Sequence, residues 1–191
     1  MIKQVQLGDR IRQIRESRKL DRNKLAERAS ISEDLLEQIE NNEMIPSLSP
    51  LIKIARSLGV RLGTFLDDEL TNSPVIVRSG ASDKVIRFKD SSRVTSTELD
   101  FYSLAANKKD RHMEPFLINL SPPEDNDLSL STHEGEEFIY VLQGSVRIQY
   151  GQKEYILQSG DSIYYDSILP HGIQSNEKKG AKILAVIHTP A

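Results

Sequence analysis

The chain has 191 residues, of which 38% are hydrophobic and 28% charged, and its net charge is −3 at pH 7. This composition is ordinary for a globular protein that is long enough for two small domains. The lack of cysteine excludes disulfides, thiolate metal sites and cysteine nucleophiles, and the longest apolar run, residues 183–187, is far shorter than the roughly 20 residues of a membrane-spanning helix.

Positive charge is concentrated near the amino terminus. Residues 1–66 carry 12 Lys and Arg against 9 Asp and Glu, whereas residues 67–191 carry 13 against 19. Eight of the cations fall between Arg10 and Arg28. A basic segment on an acidic body favours contact with nucleic acid, although a solvated helix face would have the same composition. The first residues lack the apolar stretch of a secretory signal, so we expect a cytoplasmic protein with no membrane partner.

The first 66 residues have the three- and four-residue periodicity of amphipathic helices. Asp21 and Ser32 each precede an apolar stripe as candidate N-caps. Pro50 falls where a first helical turn accepts proline, and Gly59 follows a stripe as a candidate C-cap. With a last short helix at about residues 61–66, the pattern predicts five short helices in one compact domain, residues 1–66.

Residues 75–191 have a different texture, in which short apolar and polar runs alternate between Gly, Pro, Asn, Asp and Ser. Many short strands at regular spacing indicate a sandwich or a barrel. We assign residues 67–74 to a linker and residues 105–111 and 121–125 to exposed loops. The predicted strands are residues 75–77, 85–88, 116–120, 138–142, 146–150, 155–157, 162–165 and 183–187.

Several segments of the first third resemble the DNA-binding domain of the Xre type, the Cro and lambda-repressor class of helix-turn-helix proteins. In this class a small residue such as Ala26 lets the two motif helices approach closely. Arg15 and Glu40 are similar in placement to a buried ion pair that ties helix 1 to helix 3. The segments that carry the resemblance are Leu7-Gly8-Asp9-Arg10-Ile11, Leu25-Ala26-Glu27-Arg28-Ala29, Ile31-Ser32, Ile39-Glu40, Pro46-Ser47-Leu48, Ile54-Ala55 and Leu58-Gly59-Val60.

The resemblance implies that the third helix enters the major groove of double-stranded DNA. Acidic groups there are unfavourable next to phosphates, yet Glu and Asp can accept from cytosine, and Gln38 can bind adenine bidentately. Arg22 stands where the family usually has Gln, close to a phosphate, and would compensate. The residues expected at the DNA are Arg22, Ser32, Glu33, Asp34, Glu37, Gln38 and Asn41.

Two further departures from the family pattern are Ser30, where the turn usually has Gly, and Glu43, where the family favours a cation. They leave open a structural alternative, in which the helical bundle no longer binds DNA. A third reading, a protein-interaction module that binds through the acidic residues Glu33, Asp34 and Glu37, has no other support in the sequence.

Residues 131–176 resemble the two motifs of the cupin family. Ser131-Thr132-His133-Glu134-Gly135-Glu136-Glu137 with Gly144 is similar to the first motif, and Gly160-Asp161, Pro170-His171 and Asn176 to the second. The resemblance implies a double-stranded β-helix barrel, so the predicted fold class is a five-helix bundle followed by an all-β cupin domain.

His133, Glu137 and His171 offer two imidazoles and one carboxylate, a set that suits iron, zinc, manganese or nickel. His133 and Glu137 would lie about 13 Å apart on one straight strand. We expect Gly135 to allow a turn that places them on adjacent strands. Ser131 stands where many cupins have a further His, so three ligands remain, and an organic ligand without metal is an equal alternative. Candidate lining residues of the pocket are Ile139, Val141, Arg147 and Tyr165.

Two functions from different classes are consistent with this pattern. The first is a transcriptional regulator, acting as a homodimer, whose cupin domain binds a small-molecule effector or a divalent metal and so changes operator affinity. The alternative is a non-haem iron oxygenase or epoxidase similar to the enzyme that acts on hydroxypropylphosphonate, with the helical domain as a scaffold. The sequence favours the regulator over the enzyme.

Overall fold

The computed structural model describes residues 6–44, 46–67, 71–78, 84–88, 99–123, 128 and 130–190. Within these ranges a bundle of five helices precedes a β domain of nine strands. This order confirms the predicted fold class. The proposed linker, residues 67–74, falls partly outside the described residues.

The helices follow the periodicity of the sequence. Ser32 caps α3 by accepting a hydrogen bond from the Leu35 backbone N–H at 3.2 Å, whereas Asp21 occupies the N-cap of α2 without a side-chain bond. No helix of the described residues has the length and apolar character that crossing a bilayer requires. The helices are α1 (Leu7–Ser17), α2 (Arg22–Ala29), α3 (Glu33–Glu40), α4 (Leu48–Ser57) and α5 (Gly63–Leu66).

A buried ion pair joins the first and third helices inside an apolar core. Arg15 Nε donates to Glu40 Oε1 at 2.6 Å, and a second guanidinium nitrogen donates to Oε2 at 2.9 Å. The Glu40 side chain is fully buried. This confirms the pair predicted from the sequence. The core residues around it with no exposed area are Ile11, Leu25, Leu36, Leu51, Ile54 and Leu58.

The strands form two antiparallel sheets that face each other. One has the order β1-β2-β3-β9-β4-β7 and the other the order β6-β5-β8. Strands β3 and β9 run side by side over eight residue pairs, and their alternate side chains are buried between the sheets. The strands are β1 (Lys84–Phe88), β2 (Leu99–Ser103), β3 (Met113–Leu120), β4 (Glu136–Gln143), β5 (Ser145–Tyr150), β6 (Lys153–Gln158), β7 (Ser162–Asp166), β8 (His171–Ser175) and β9 (Ala181–His188).

Three details of the β domain differ from the sequence prediction. Residues 75–77 are not a strand, and Ile76 is 68% exposed, because β propensity without a pairing neighbour does not make a strand. Strand β2, which was not predicted from the sequence, pairs with β1 and β3. Strand β8 lacks apolar alternation and exists because it pairs with β5.

The loop predicted at residues 105–111 is not fully exposed, since Arg111 is buried between the two domains. Its guanidinium contacts the carboxylate of Asp67 just after α5 and donates to Glu114 at 2.8 Å. Glu114 also accepts from the Gly63 backbone N–H at 3.2 Å. The three side chains expose 8% or less of their area. They connect α5 to the start of β3.

Candidate functional site

The outer face of α3 carries the residues predicted to contact DNA. All six of the predicted residues from this helix and its two caps are exposed, while Leu36 and Ile39 on the opposite face are buried. The arrangement follows from the helical period, which turns the polar positions away from the core. The six residues are Ser32, Glu33, Asp34, Glu37, Gln38 and Asn41.

Arg22 is engaged by acidic residues of α3. Its Nη1 donates to Glu37 at 2.9 Å and its Nε to the buried Glu40 at 3.3 Å. The pairing neutralises Glu37, one of the acidic groups that would otherwise face phosphates. It also holds the Arg22 side chain, which is 29% exposed, against the protein. From the sequence, Arg22 was expected close to a phosphate, and its two acidic partners were not predicted.

The turn between the two motif helices accommodates Ser30 in place of glycine. Ser30 has φ +52° and ψ +47°, the left-handed conformation that terminates α2. Its backbone N–H donates to Glu27 O at 3.0 Å, and the next N–H donates to Ala26 O at 3.0 Å. The helix-turn-helix geometry is therefore formed despite this departure from the family pattern.

His133, Glu137 and His171 converge inside the β domain. Glu137 Oε1 lies 2.8 Å from His133 Nε2 and 3.3 Å from His171 Nε2. One ligand atom from each residue falls within 4.8 Å of the others, and the three residues are buried. Ligand atoms that bind one metal ion at about 2.1 Å lie about 3 Å from one another, so the observed separations are of the size that a shared ion requires.

Neighbouring groups fix the orientation of both imidazoles. His133 Nδ1 lies 3.1 Å from Glu134 O, and His171 Nδ1 lies 2.8 Å from Leu169 O. A proton on each Nδ1 can be donated to these carbonyls, which leaves each Nε2 as an acceptor aimed at the centre. This is how metal-binding histidines are usually supported in proteins.

Tyr165 and Ser131 complete the surroundings of the centre. The Tyr165 hydroxyl donates to Glu137 Oε2 at 2.8 Å, and Ser131 Oγ lies 3.3 Å from His171 Nε2. Tyr165 was expected to line a pocket, and it does face this centre. Of the other residues expected there, Ile139 and Val141 are buried in the core, and Arg147 lies 3.7 Å from Glu154.

The carboxylate of Glu137 is kept ionised by its neighbours. Burial alone would raise its pKa, but in their protonated form His133 and His171 donate hydrogen bonds to it and add positive charge, which outweighs burial and brings the pKa to about 2. Burial lowers the pKa of His171, and Glu137 reverses that effect and raises it. Burial and the negative charge of Glu137 raise the pKa of Tyr165, so its hydroxyl stays a donor.

His133 lies in a loop and not on a strand, so the expectation of two adjacent strands is wrong. Its backbone N–H donates to Ser167 O at 3.0 Å, and Glu137 is the second residue of β4. The turn does depend on Gly135, as predicted. Its φ is +112°, and a Cβ there would lie 2.0 Å from His188 O. The loop can fold back because it need not continue the ladder of β4.

The chemistry of this set fits a divalent metal ion. When both imidazoles are neutral, as metal binding requires, two ring nitrogens and one ionised carboxylate oxygen face one centre, and each group has a supporting hydrogen bond. Such a set suits iron, zinc, manganese or nickel, and its geometry alone does not select among them. An ion there would act as a Lewis acid or as a structural cross-link between β4 and β8.

Comparison with known families agrees with both halves of the fold. Residues 8–69 match the family model described as a helix-turn-helix domain, and residues 118–187 match the model described as a cupin domain. The chain therefore combines a helix-turn-helix domain with a cupin domain. The matched ranges contain every candidate DNA-binding and metal-binding residue described above.

Two relatives represent the two classes of function. The chain is 23% identical to the HTH-type transcriptional regulator PuuR of Escherichia coli over 96% of its own length and 94% of that protein. It is 28% identical to methylphosphonate synthase of Nitrosopumilus maritimus over 83% of its own length. It spans about a third of that enzyme, 35%, but nearly all of PuuR.

Two solved structures share the fold over almost the whole chain. A transcriptional regulator of the HTH_3 family from Vibrio cholerae has a TM-score of 0.69 and 23% identity, with 98% of this chain and 97% of that chain covered. The iron(II) form of hydroxypropylphosphonic acid epoxidase has a TM-score of 0.52 and 22% identity, with 95% and 96% covered. At these identities the similarity concerns the fold.

Proposed function

We propose that this chain is a sequence-specific DNA-binding transcriptional regulator whose cupin domain binds a divalent metal ion, a small-molecule effector or both. The observation that carries the proposal is the exposed polar face of α3 on a helical bundle in which the buried Arg15–Glu40 ion pair joins α1 to α3. The similarity to PuuR along nearly both whole chains supports the same class.

DNA contact would divide between two kinds of residue. Gln38 and Asn41 on the outer face of α3 offer amide groups for base edges. Ser32 and the first backbone N–H groups of α3 would meet phosphates. The ion pair with Arg22 offsets the negative charge of Glu37, so that Glu37 would repel the DNA phosphates less than an unpaired carboxylate would. The acidic Glu33 and Asp34 lie in the first turn of α3, where they also stabilise the helix dipole.

The proposed regulator acts as a homodimer in the cytoplasm, where it meets DNA. Two α3 helices would then read two half-sites about 34 Å apart. Metal or effector binding would change operator affinity by shifting the relative placement of the two helical domains.

DNA binding is tested by fluorescence anisotropy with labelled fragments from upstream of the gene for this chain, at several salt concentrations. Saturable, salt-sensitive binding to one fragment is expected. Gln38→Ala should weaken it by about tenfold, which corresponds to the loss of one bidentate base contact. Gln152→Ala, an exposed Gln of the β domain, is the matched control. Equal affinity of Q38A and wild type for that fragment would contradict the proposal.

Metal binding is tested separately by elemental analysis and native mass spectrometry of the purified protein. One divalent ion for each chain is expected, with loss of the ion in His133→Ala and in His171→Ala. His188→Ala is the control, because that imidazole is 43% exposed and lies outside the centre. Full metal content in both ligand variants would contradict the assignment of the site.

The enzyme alternative is favoured by the buried set of His133, Glu137 and His171 together with the sequence similarity to methylphosphonate synthase. In that case His133, Glu137 and His171 would hold ferrous iron, which supplies oxygen activation, and Tyr165 would keep Glu137 oriented by its hydrogen bond. Oxygen consumption by the iron-loaded protein on addition of (S)-2-hydroxypropylphosphonic acid would support it. No consumption, with no product detected by mass spectrometry, would remove this substrate from consideration.

A further inference from the structure

A cleft of about 740 Å³ lies between the helical domain and the β domain. One wall consists of α4 and the end of α2, and the other of the loop that holds His133 together with the start of β3. Its volume is within the range of small-molecule sites, and such sites are frequent between domains. Its lining includes His133 but none of the residues that were expected from the sequence to line the effector pocket, which are Ile139, Val141, Arg147 and Tyr165.

The cleft carries an excess of positive charge. Five Lys and Arg side chains line it, against two Glu. Three of the cations have acidic partners: Arg56 contacts Glu134, Arg61 lies 3.5 Å from Asp110, and Arg111 contacts Asp67 and Glu114. In the part of the chain that the structure describes, the other two, Arg28 and Lys53, have no ion-pair partner.

The floor between these cations is apolar. Ile52, Ala55 and Leu62 line the cleft on the helical side with 4% or less of their area exposed, and Ile168 on the other side, 59% exposed, supplies most of the accessible apolar area among these four residues. An apolar floor with cations at the rim fits a ligand that has an anionic head and a short apolar body. An inorganic ion would leave the floor uncovered.

We propose that this interdomain cleft binds an anionic small molecule, with a carboxylate or phosphate head held by Arg28, Lys53 and Arg56 and an apolar body over Ile52 and Ile168. The binding site itself does not depend on the regulator function. Its consequence for DNA affinity rests on the proposed function.

A ligand in the cleft would compete with an existing contact between the domains. The Arg56–Glu134 ion pair joins α4 to the residue that follows His133, and 52% and 46% of the two side chains are exposed to solvent. Next to it, the buried Ser49 of α4 donates to Thr132 O at 3.0 Å. An anion that takes Arg56 from Glu134 would break one of the two contacts and so loosen the attachment of α4 to this loop.

Isothermal titration calorimetry with hexyl phosphate and hexanoate tests the proposal in the absence of DNA. At least one of the two anions should bind with a stoichiometry of one per chain. Comparison of the two titrations distinguishes a site for a phosphate head from a site for a carboxylate head. Hexylamine, with the same apolar body and a positive head, should not bind. Equal heats for hexylamine and the anions, or no saturable binding of either anion, would overturn the proposal.

Variants of the cleft give opposite effects that a general loss of folding cannot produce. Lys53→Ala and Arg28→Ala should each weaken anion binding about fivefold, whereas Glu134→Gln should tighten it because Arg56 is freed. Lys178→Ala, a lysine of an exposed turn outside the cleft, should change nothing. Equal affinities in K53A, R28A, E134Q and wild type would overturn the site.

DNA binding by the same variants separates this proposal from the regulator function. If K53A and R28A lose DNA affinity but bind the anion as wild type does, these cations contact DNA phosphates and the proposal is overturned. If the anion binds as expected but does not change DNA affinity, the site stands and its regulatory consequence fails.

Discussion

The guanidinium of Arg22 at the start of α2 donates to the carboxylate of Glu37 on the outer face of α3 at 2.9 Å. The contact joins the two helices of the helix-turn-helix motif at the surface where DNA would bind. It decides how much negative charge α3 presents, because a paired Glu repels phosphates less than a free one.

Glu37→Gln should therefore tighten DNA binding, since it removes a negative charge and releases Nη1 of Arg22 for a phosphate, while Nε stays bound to Glu40. An additional phosphate contact would make the slope of log affinity against log salt steeper by about one. Anisotropy titrations over a range of salt measure both effects. Glu154→Gln removes the acidic partner of Arg147 in the β domain and serves as the control. Weaker binding of E37Q would mean that Glu37 itself accepts from a base.

Glu40→Gln should destabilise the helical domain by about 3 kcal/mol, because Arg15 would remain buried without its anionic partner. Urea unfolding followed by circular dichroism at 222 nm measures this, since the described helices all lie within residues 7–66. The double variant Arg15→Met with Glu40→Leu should recover much of the loss. If the double variant is as unstable as E40Q, the cost arises from packing and not from the unpaired charge.

Gly135→Ala should destabilise the β domain and remove metal binding, because a Cβ at this position would meet His188 O and displace the His133 loop. Gly160→Ala is the matched control. Its φ of +95° is also left-handed, but no atom lies within 4 Å of an added Cβ, so only the backbone cost of about 1–2 kcal/mol applies. Thermal unfolding followed by tyrosine fluorescence, with metal content, measures both variants. Similar losses in G135A and G160A would show that the close approach to His188 is unimportant.

The free energy of unfolding should depend on pH through Glu114, which lies at the interface between the domains. Burial raises the pKa of Glu114 above its ordinary value of 4.5, and Arg111 only partly reverses this. The folded protein therefore binds this proton more tightly than the unfolded chain does. The contribution of protonated Glu114 to the free energy of unfolding is therefore at its full value below pH 4.5, and it is lost as the pH rises through the raised pKa.

Glu114→Gln removes this titration and provides the measurement. The free energy of unfolding of wild type relative to E114Q should fall as the pH increases from about 4 to 8. Glu177→Gln, at an exposed turn, should give a constant difference over the same range. A difference for E114Q that is constant, or that grows with pH, would contradict the raised pKa.

The sequence by itself determined the two kinds of domain and most of the elements within them. The helices of residues 7–66 follow a local period, and the Arg15–Glu40 pair lies at positions that the helix-turn-helix pattern fixes. The three candidate metal ligands, His133, Glu137 and His171, were also predicted from the sequence, because each belongs to a short motif with fixed spacing. Local patterns of this kind are visible in the sequence because the packing of the core requires apolar residues at regular positions.

The tertiary structure alone decided which charges meet. Arg22 pairs with Glu37 and Glu40 of another helix. The side chain of Arg111 is buried against Asp67, which lies far away in the sequence, and against Glu114. The loop that holds His133 is likewise fixed by a distant segment, through the hydrogen bond to Ser167. The interdomain cleft is of the same kind, because α2, α4 and the His133 loop form it only after both domains have packed together. Periodicity describes one element at a time, whereas contacts between elements depend on register and domain placement, which no single segment encodes.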